Sequence, residues 1–481
     1  MTQNYAMALS PPRTKHPTKL SNATVAGWLP VPTPRYDRAG ISVGIVHFGV
    51  GGFHRAHQAV YVDQLLEQGL ARDWGICGVG VLPVDRRMRD VLRAQDGLYT
   101  LVVEHNDGSR EARVIGSIVD YRYAPDDPEA VIELLAAPST RIISLTITEG
   151  GYQPGGPAFS LIAKALARRR DRGVGSPTIV SCDNVDKNGD VARDTVLAAA
   201  QDCDGLAEWI TANTRFPNST VDRITPAVTP RAAAAVRHDF GIDDQWPVLT
   251  EPYAAWVLED DFADGRPPLE EAGVLLVDDV APYEAMKLRL LNAAHQCLCY
   301  FGYLTGHQFV HDAISDRPLA ELLRAYWNFE AIPTMSDVPG VDLVDYTETL
   351  MTRFANPEVA DSVERLCAYS SDRIPKFLFP VIRDNLASGG SVRLASAVVA
   401  SWARYTEGVD EYEAPIDVVD QLADTLVPIA RSQRDNPTAF IENTDVFGDL
   451  ASQPRFVDAY RWALDSLHRD GARATLKALL Q

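Results

Sequence analysis

Residues 282–302 read PYEAMKLRLLNAAHQCLCYFG, an apolar helical pattern interrupted by four polar side chains. With Lys287 at zero and a turn of about 100° per residue, Glu284 falls at ~60°, His295 at ~80° and Asn292 at ~140°. Polar groups on one arc of a core helix need partners. An amine held against apolar walls gives up its proton more readily than one in water and can act as a base near neutral pH. An Asn amide can donate to a developing alkoxide, and an imidazole can orient a hydroxyl. Together these are the parts for oxidising an alcohol without a metal. The same residues would also suit a helix edge with Lys287 and Glu284 solvated and His295 satisfied in the core. What precedes them in the chain bears on the choice.

Residues 41–66 read ISVGIVHFGVGGFHRAHQAVYVDQLL. A β-branched run gives way to Gly49, Gly51 and Gly52, then to helical spacing. A strand, a tight glycine turn and a helix start are what hold a dinucleotide pyrophosphate. His54 stands where a GxGxxG pattern has its third glycine, and glycines at strand–helix turns also serve packing alone. The next strand, WGICGVGV, is followed by Asp85. A carboxylate there accepts bonds from ribose hydroxyls and repels a 2′-phosphate, which favours NAD over NADP. Asp85 could equally be the N-cap of RRMRDVLRAQ.

The elements that must position these residues are legible as two blocks. Strand patterns lie near 41–48, 75–81, 98–104, 112–122, 141–147, 177–181, 247–250 and 274–277. Helical patterns at 56–70, 128–136, 159–172 and 190–213 alternate with them, as in a doubly wound, mainly parallel sheet. A turn at Asn106, Asp107 and Gly108 marks an antiparallel excursion. After about residue 282, helical patterns follow at 283–303, 316–328, 345–354, 374–387, 390–407, 416–430, 455–469 and 471–480. The expected class is α/β: an N-terminal arm (1–40), a Rossmann-type domain (41–282) and a mostly α-helical domain (283–481).

Composition narrows the function. The 481 residues carry a net charge of −20, with 46% hydrophobic and 23% charged residues. Nucleic acid and anionic membrane surfaces call for basic patches, so neither is an expected partner. No apolar run is long enough to span a bilayer, and the polar start lacks a signal-peptide core. The six cysteines, at 77, 182, 203, 297, 299 and 367, form no CxxC pair. A reducing cytoplasm is expected, with Cys297 and Cys299 as buried core thiols and no metal site.

Several motifs together are specific: GVGGFHRAHQA, ICGVG, SLTITEGGY, SCDNVDKNG, FPNSTVDRITP, GVDEYEAPIDVVD and Lys287-x4-Asn292-x2-His295. From about residue 41 onward the chain resembles the polyol-specific long-chain dehydrogenase/reductase family, which includes mannitol 2-dehydrogenases and hexuronate reductases. The resemblance implies NAD at the glycine turn, held by Gly49, Val50, Gly51, Gly52, Phe53, Asp85 and Arg86. It implies Lys287 as general base, Asn184 and Asn292 as the pair polarising the substrate oxygen, His295 as orienter of substrate hydroxyls, and Glu284 as a proton link to solvent. It implies Asp222, Arg365 and Arg373 as substrate contacts. Residue by residue, other readings stay open: Asn184 as a helix cap, Asp222 with Arg223 as an ion pair, Arg365 as a solvated helix residue.

The chain departs from the family pattern in three places. Ala293-Ala294 replaces a common Gly-Ser, Arg373 stands where relatives carry Lys, and the segment after Tyr152 is short. Arg keeps the charge but not the shape of Lys. The expected substrate pair is D-mannitol and D-fructose, with D-arabinitol or a hexuronate as alternatives, and an NAD-binding sensor as the reading outside catalysis. A monomer or small homo-oligomer is expected.

Overall fold

The computed structural model describes residues 17–25, 27 and 29–481. The start of the expected N-terminal arm, residues 1–16, lies outside the described residues. The chain splits into two compact units, Met1–Val280 and Ala281–Gln481.

The first unit is built on five parallel strands: β1 (Val43–Phe48), β2 (Gly75–Gly80), β3 (Ile118–Tyr123), β4 (Ile142–Leu145) and β5 (Thr178–Ser181). Their spatial order is β3-β2-β1-β4-β5. That is the order of a dinucleotide-binding sheet up to its fifth strand. Four of the strands are buried on both faces, hence continuous apolar runs such as VGIVHF and IISL, whereas the edge strand β3, IVDYRY, leaves Arg122 exposed. Helices cover both faces. Helix Pro128–Ala136 starts at Asp127, whose side chain accepts from the Ala130 amide, and helix Pro157–Arg172 ends at the left-handed Gly173.

Among the described residues two three-stranded sheets and a two-stranded pair, Thr18–Lys19 with Ile242–Asp243, accompany this one. Tyr99–Glu104 runs antiparallel to Arg110–Ile115, the expected excursion, and parallel to Val248–Thr250. Ala255–Glu259 joins Ser219–Asp222 and Leu275–Val277. Where one strand is expected at 112–122 two are present, because Gly116 and Ser117 break the run between Ile115 and Ile118. The helix expected at 190–213 is also two, Asn188–Ala199 and Leu206–Asn213, parted at the left-handed Gly205. Residues 17–40, read as an arm, bury Leu20, Leu29 and Val31 against Leu98, Val114 and Ile242.

The second unit is helical. Its centre is Ala293–Leu304, buried on nearly every side and packed against Arg317–Tyr326, Val363–Cys367 and Arg393–Thr406. A helix apolar all round belongs in a core. Cys297 and Cys299 are buried there as expected. The N-terminus of Arg393–Thr406 is closed from a distance: the buried Glu330 carboxylate accepts from the Leu394 and Ala395 amides and from Ser391 Oγ, each at 2.8 Å. Those amides are orphan donors at a helix start, and a carboxylate suits them. The expected 374–387 helix is two, Ser370–Phe377 and Phe379–Ser388, and the one expected from 416 begins at Ala423.

Candidate active site

In the first unit the glycine turn leaves β1 at the carboxyl end of the sheet. Gly49 has φ +91°, and a Cβ there would lie 2.0 Å from the Thr146 carbonyl oxygen, so only glycine fits. Gly51 and Gly52 differ. A Cβ on Gly51 would meet only the Gly49 carbonyl, at 3.8 Å, and one on Gly52 only Thr225 Cγ2, at 3.5 Å. Bare backbone therefore faces open space where helix Gly52–Ala56 begins. These residues fit a pyrophosphate, which approaches backbone amides closely at such a turn. Val50 is buried under the turn, and Phe53 stacks on His57. The helix expected at 56–70 starts earlier, at Gly52, and breaks at His57 before resuming over Gln58–Glu67.

Beneath the turn lies a polar network that sequence reasoning missed. Thr146 Oγ1 donates to the Gly49 carbonyl at 2.7 Å, His47 Nε2 lies 2.9 Å from Thr146 Oγ1, and His47 Nδ1 lies 2.8 Å from Ser144 Oγ. His54, the residue in place of the third glycine, is buried and stacks on His47. Burial pushes the His47 imidazole down to about 3, and burial followed by the charges of His47, Arg55 and His57 holds His54 well below its ordinary range.

Asp85 sits just past β2. It does not cap the helix Arg86–Ala94 through its side chain. Its Oδ2 accepts from the Val81 and Leu82 amides, both at 2.8 Å, and so shapes the loop after the strand. Arg86 is exposed on the first turn of that helix.

Asn184 is exposed, in the loop that follows β5, after Cys182 and Asp183. It is not a helix cap; Lys187 holds that place ahead of Asn188–Ala199. Its neighbour Asp183 is buried and accepts from the Ile147 amide at 3.0 Å, the Thr148 amide at 2.8 Å and the Tyr152 hydroxyl at 2.8 Å. The SCDN and TITEGGY motifs are thus one structure: the carboxylate of the first holds the loop of the second. Burial raises the Asp183 carboxyl, and the three donors oppose that. Asn188 fixes the same segment by donating to the carbonyls of Ser181, Asp183 and Ser219.

Asp222, half-buried, ends the Ser219–Asp222 strand opposite Ala255. Arg223 donates to the carbonyls of Ala56 at 2.6 Å and Glu251 at 3.1 Å, so its work is to tie loops together.

In the second unit Glu284, Lys287, Asn292 and His295 are all half-buried along one continuous helical run, while Met286, Leu290, Leu291, Ala293 and Ala294 are buried. The run is not uniformly α-helical. Ala281–Met286 and Ala293–Leu304 are α, but Lys287–Asn292 is a π turn. This corrects the angles derived from an α turn. In a π turn the hydrogen bond runs from residue i+5 to residue i, so Asn292 lies one turn above Lys287 and not some 140° away. The His295 ring lies 4.5 Å from that of Phe354.

Arg365 and Arg373 come together through the backbone. Arg373 Nη1 donates to the carbonyls of Arg365 at 3.2 Å and Leu366 at 3.1 Å. Arg365 makes two bonds of 2.6 Å to Asp361, its side chain more than half exposed. Asp420, which ends the GVDEYEAPIDVVD motif, accepts from the Ser371 amide at 2.8 Å and its hydroxyl at 2.5 Å, holding the helix that carries Arg373.

Among the described residues no group of three or more His, Cys, Asp or Glu could hold a metal ion, and no helix is long and apolar enough to cross a membrane.

Comparison with known proteins places this arrangement. The mannitol dehydrogenase Rossmann domain matches residues 43–271, and the mannitol dehydrogenase C-terminal domain matches residues 279–468. The chain belongs to the mannitol dehydrogenase family. A mannitol 2-dehydrogenase of Phaeosphaeria nodorum is 43% identical over 95% of this chain and 85% of its own length. The Pseudomonas fluorescens mannitol 2-dehydrogenase, solved as a ternary complex with NAD and D-mannitol, is 40% identical with a TM-score of 0.84, covering 96% of this chain and 99% of that one. A D-sorbitol dehydrogenase solved in substrate-free form is 34% identical with a TM-score of 0.85, covering 95% and 100%. Family membership makes the chain an oxidoreductase of the polyol type.

Proposed function

We propose that this mannitol dehydrogenase family member oxidises a secondary alcohol of a polyol to a ketose with NAD, and catalyses the reverse, with D-mannitol and D-fructose as the preferred pair. The observation that carries this reading is the half-buried run Glu284, Lys287, Asn292 and His295 on one helix of the second unit. The bare backbone at Gly51 and Gly52 supports a dinucleotide on the first. A bound nicotinamide supplies the hydride acceptor.

In this reading Lys287 takes the hydroxyl proton of the substrate, and Glu284 passes it toward solvent. The side-chain amides of Asn184 and Asn292 donate to the oxygen as negative charge develops there, a stabilisation made mainly in the transition state. His295, set against Phe354, orients neighbouring hydroxyls. Asp222 accepts from another substrate hydroxyl. In reduction the protonated Lys287 returns the proton. Gly49, Val50, Gly51, Gly52 and Phe53 form the cradle for the pyrophosphate, with Asp85 and Arg86 at the ribose.

The hexuronate alternative needs a cation for the substrate carboxylate. Arg365 is already paired with Asp361, and Arg373 donates to two carbonyls. Both engagements favour an uncharged polyol.

The test is a panel of D-mannitol, D-sorbitol, D-arabinitol, D-fructose and fructuronate, each with NAD(H) and NADP(H). The highest kcat/KM is expected for mannitol with NAD and fructose with NADH, unchanged after dialysis against a strong chelator. A higher kcat/KM for fructuronate would move the chain to the reductase branch. Activity lost on chelation and restored by zinc would overturn the lysine mechanism.

A further inference from the structure

The π turn at Lys287–Asn292 is held open by two side chains from elsewhere in the second unit. Trp327 donates its indole N–H to the Leu290 carbonyl at 2.8 Å, and the Tyr326 hydroxyl donates to the Arg289 carbonyl at 3.1 Å. Both acceptors lie inside the turn. Both donors are 0–1% exposed. The Arg289 side chain anchors the same turn outward, through Nη1 to the Thr334 carbonyl and hydroxyl at 2.9 Å each and to Asp384 at 2.6 Å. Burial keeps the Tyr326 phenol protonated and so a donor.

A π turn is wider than an α turn and rare, and it needs outside support for its carbonyls. A buried indole N–H needs an acceptor. Tyr326 and Trp327 meet both needs at once. What the widened turn returns is geometric. In an α turn Asn292 would point about 140° away from Lys287; the extra residue of the π turn brings its backbone position round to the lysine's face of the helix.

We infer that Tyr326 and Trp327 are positioning residues for the reaction, keeping Lys287 and Asn292 on one face through the two carbonyls they bind. The inference rests on Lys287 being the general base. Neither residue is placed against substrate or dinucleotide; each acts through the helix.

Trp327→Phe keeps the ring and removes the donor. It should lower kcat for mannitol oxidation by roughly 10- to 10²-fold, the scale on which small misplacements act. KM should change less than kcat, NADH affinity should stay within about twofold, and the pH limb of oxidation should move, because the surroundings of the amine have changed. Amide hydrogen exchange over residues 288–296 should quicken. Tyr326→Phe removes only a hydroxyl and should move the same quantities in the same direction; it decides the matter if Trp327→Phe does not fold. Wild-type kcat and pH limb in both variants, with Lys287→Ala inactive, would overturn the inference and leave the general base standing. Normal turnover in Lys287→Ala would overturn the general base, and the inference with it.

Discussion

The imidazoles of His47 and His54 lie stacked, 3.5 Å between centroids and 13° from parallel, at the foot of the glycine turn. Both rings are fully buried and held neutral far below their ordinary range. The unfolded chain binds protons on both near pH 6.5, and the folded chain does not. Stability contributed by the neutral pair is therefore complete above that pH and falls as pH drops toward about 3. At pH 5.5 each imidazole should cost about 1.4 kcal/mol relative to pH 8. Denaturant titrations at the two pH values should show this loss, and His54→Phe should show a shallower one. Equal pH dependence in the variant would mean that His54 is protonated in the folded state.

Asp85 has two tasks. One carboxylate oxygen shapes the loop after β2 by accepting from Val81 and Leu82, and among the described residues Oδ1 has no partner. In the proposed reading Oδ1 meets a ribose hydroxyl and would repel a 2′-phosphate. The wild type should prefer NAD to NADP. Asp85→Asn keeps an oxygen for the two amides and removes the charge. It should narrow the ratio of kcat/KM values by about 10- to 10²-fold, equivalent to about 1.4–2.8 kcal/mol, with little change in melting temperature. An unchanged ratio would free Asp85 from any part in choosing the cofactor.

These two residues also show what the sequence could and could not reveal. His54 was legible as a departure from the glycine pattern, but a histidine in a turn reads as exposed; its burial depends on His47 in β1 and Ser144 in β4. Asp85 was legible as the acid after the second strand, and its bonds to Val81 and Leu82 were not. Four of the five core strands were legible because both faces are buried, and the fifth, IVDYRY, from its β-branched and aromatic residues, whereas STVD at 219–222 is too polar to announce a strand and needs Ala255–Glu259 beside it. The polar residues of the lysine helix were legible from type and spacing. The π turn was not: KLRLLN is ordinary helix sequence, and the donors that stabilise the wider turn lie some forty residues on.

Glu330 offers a test of stability apart from the site. Its buried carboxylate takes three donors at the start of the Arg393–Thr406 helix, and that helix packs against both Ala293–Leu304 and Pro454–Asp470. Glu330→Gln turns an amide NH₂ toward backbone N–H groups. The expected loss is about 2–3 kcal/mol, the range for bonds to a charged group left unmade in a core. Denaturant midpoints measure it. A change below about 0.5 kcal/mol would show that water or a rotated side chain replaces the carboxylate.

The proposed mechanism turns on Lys287, so its removal is the sharpest test. Its neighbours on the helix, Met286, Leu290 and Leu291, are buried, while the lysine itself is half-buried. A residue acting only in proton transfer should leave NADH binding almost untouched when truncated. Lys287→Ala should therefore lower kcat for mannitol oxidation by ~10²–10⁴-fold, the usual contribution of a general base. NADH titrated by fluorescence should bind the variant within about twofold of wild type, since no interaction that distinguishes the transition state is involved. Wild-type oxidation should rise with pH as the amine deprotonates, and reduction should fall over the same range. The variant should lose both limbs, and added small amines should restore part of its rate by supplying a base from solution. If instead Lys287→Ala turns over normally with unchanged limbs, the lysine is a solvated edge residue. Asn292 and His295 would then lose the roles proposed for them, since each is defined by the oxygen whose proton Lys287 removes.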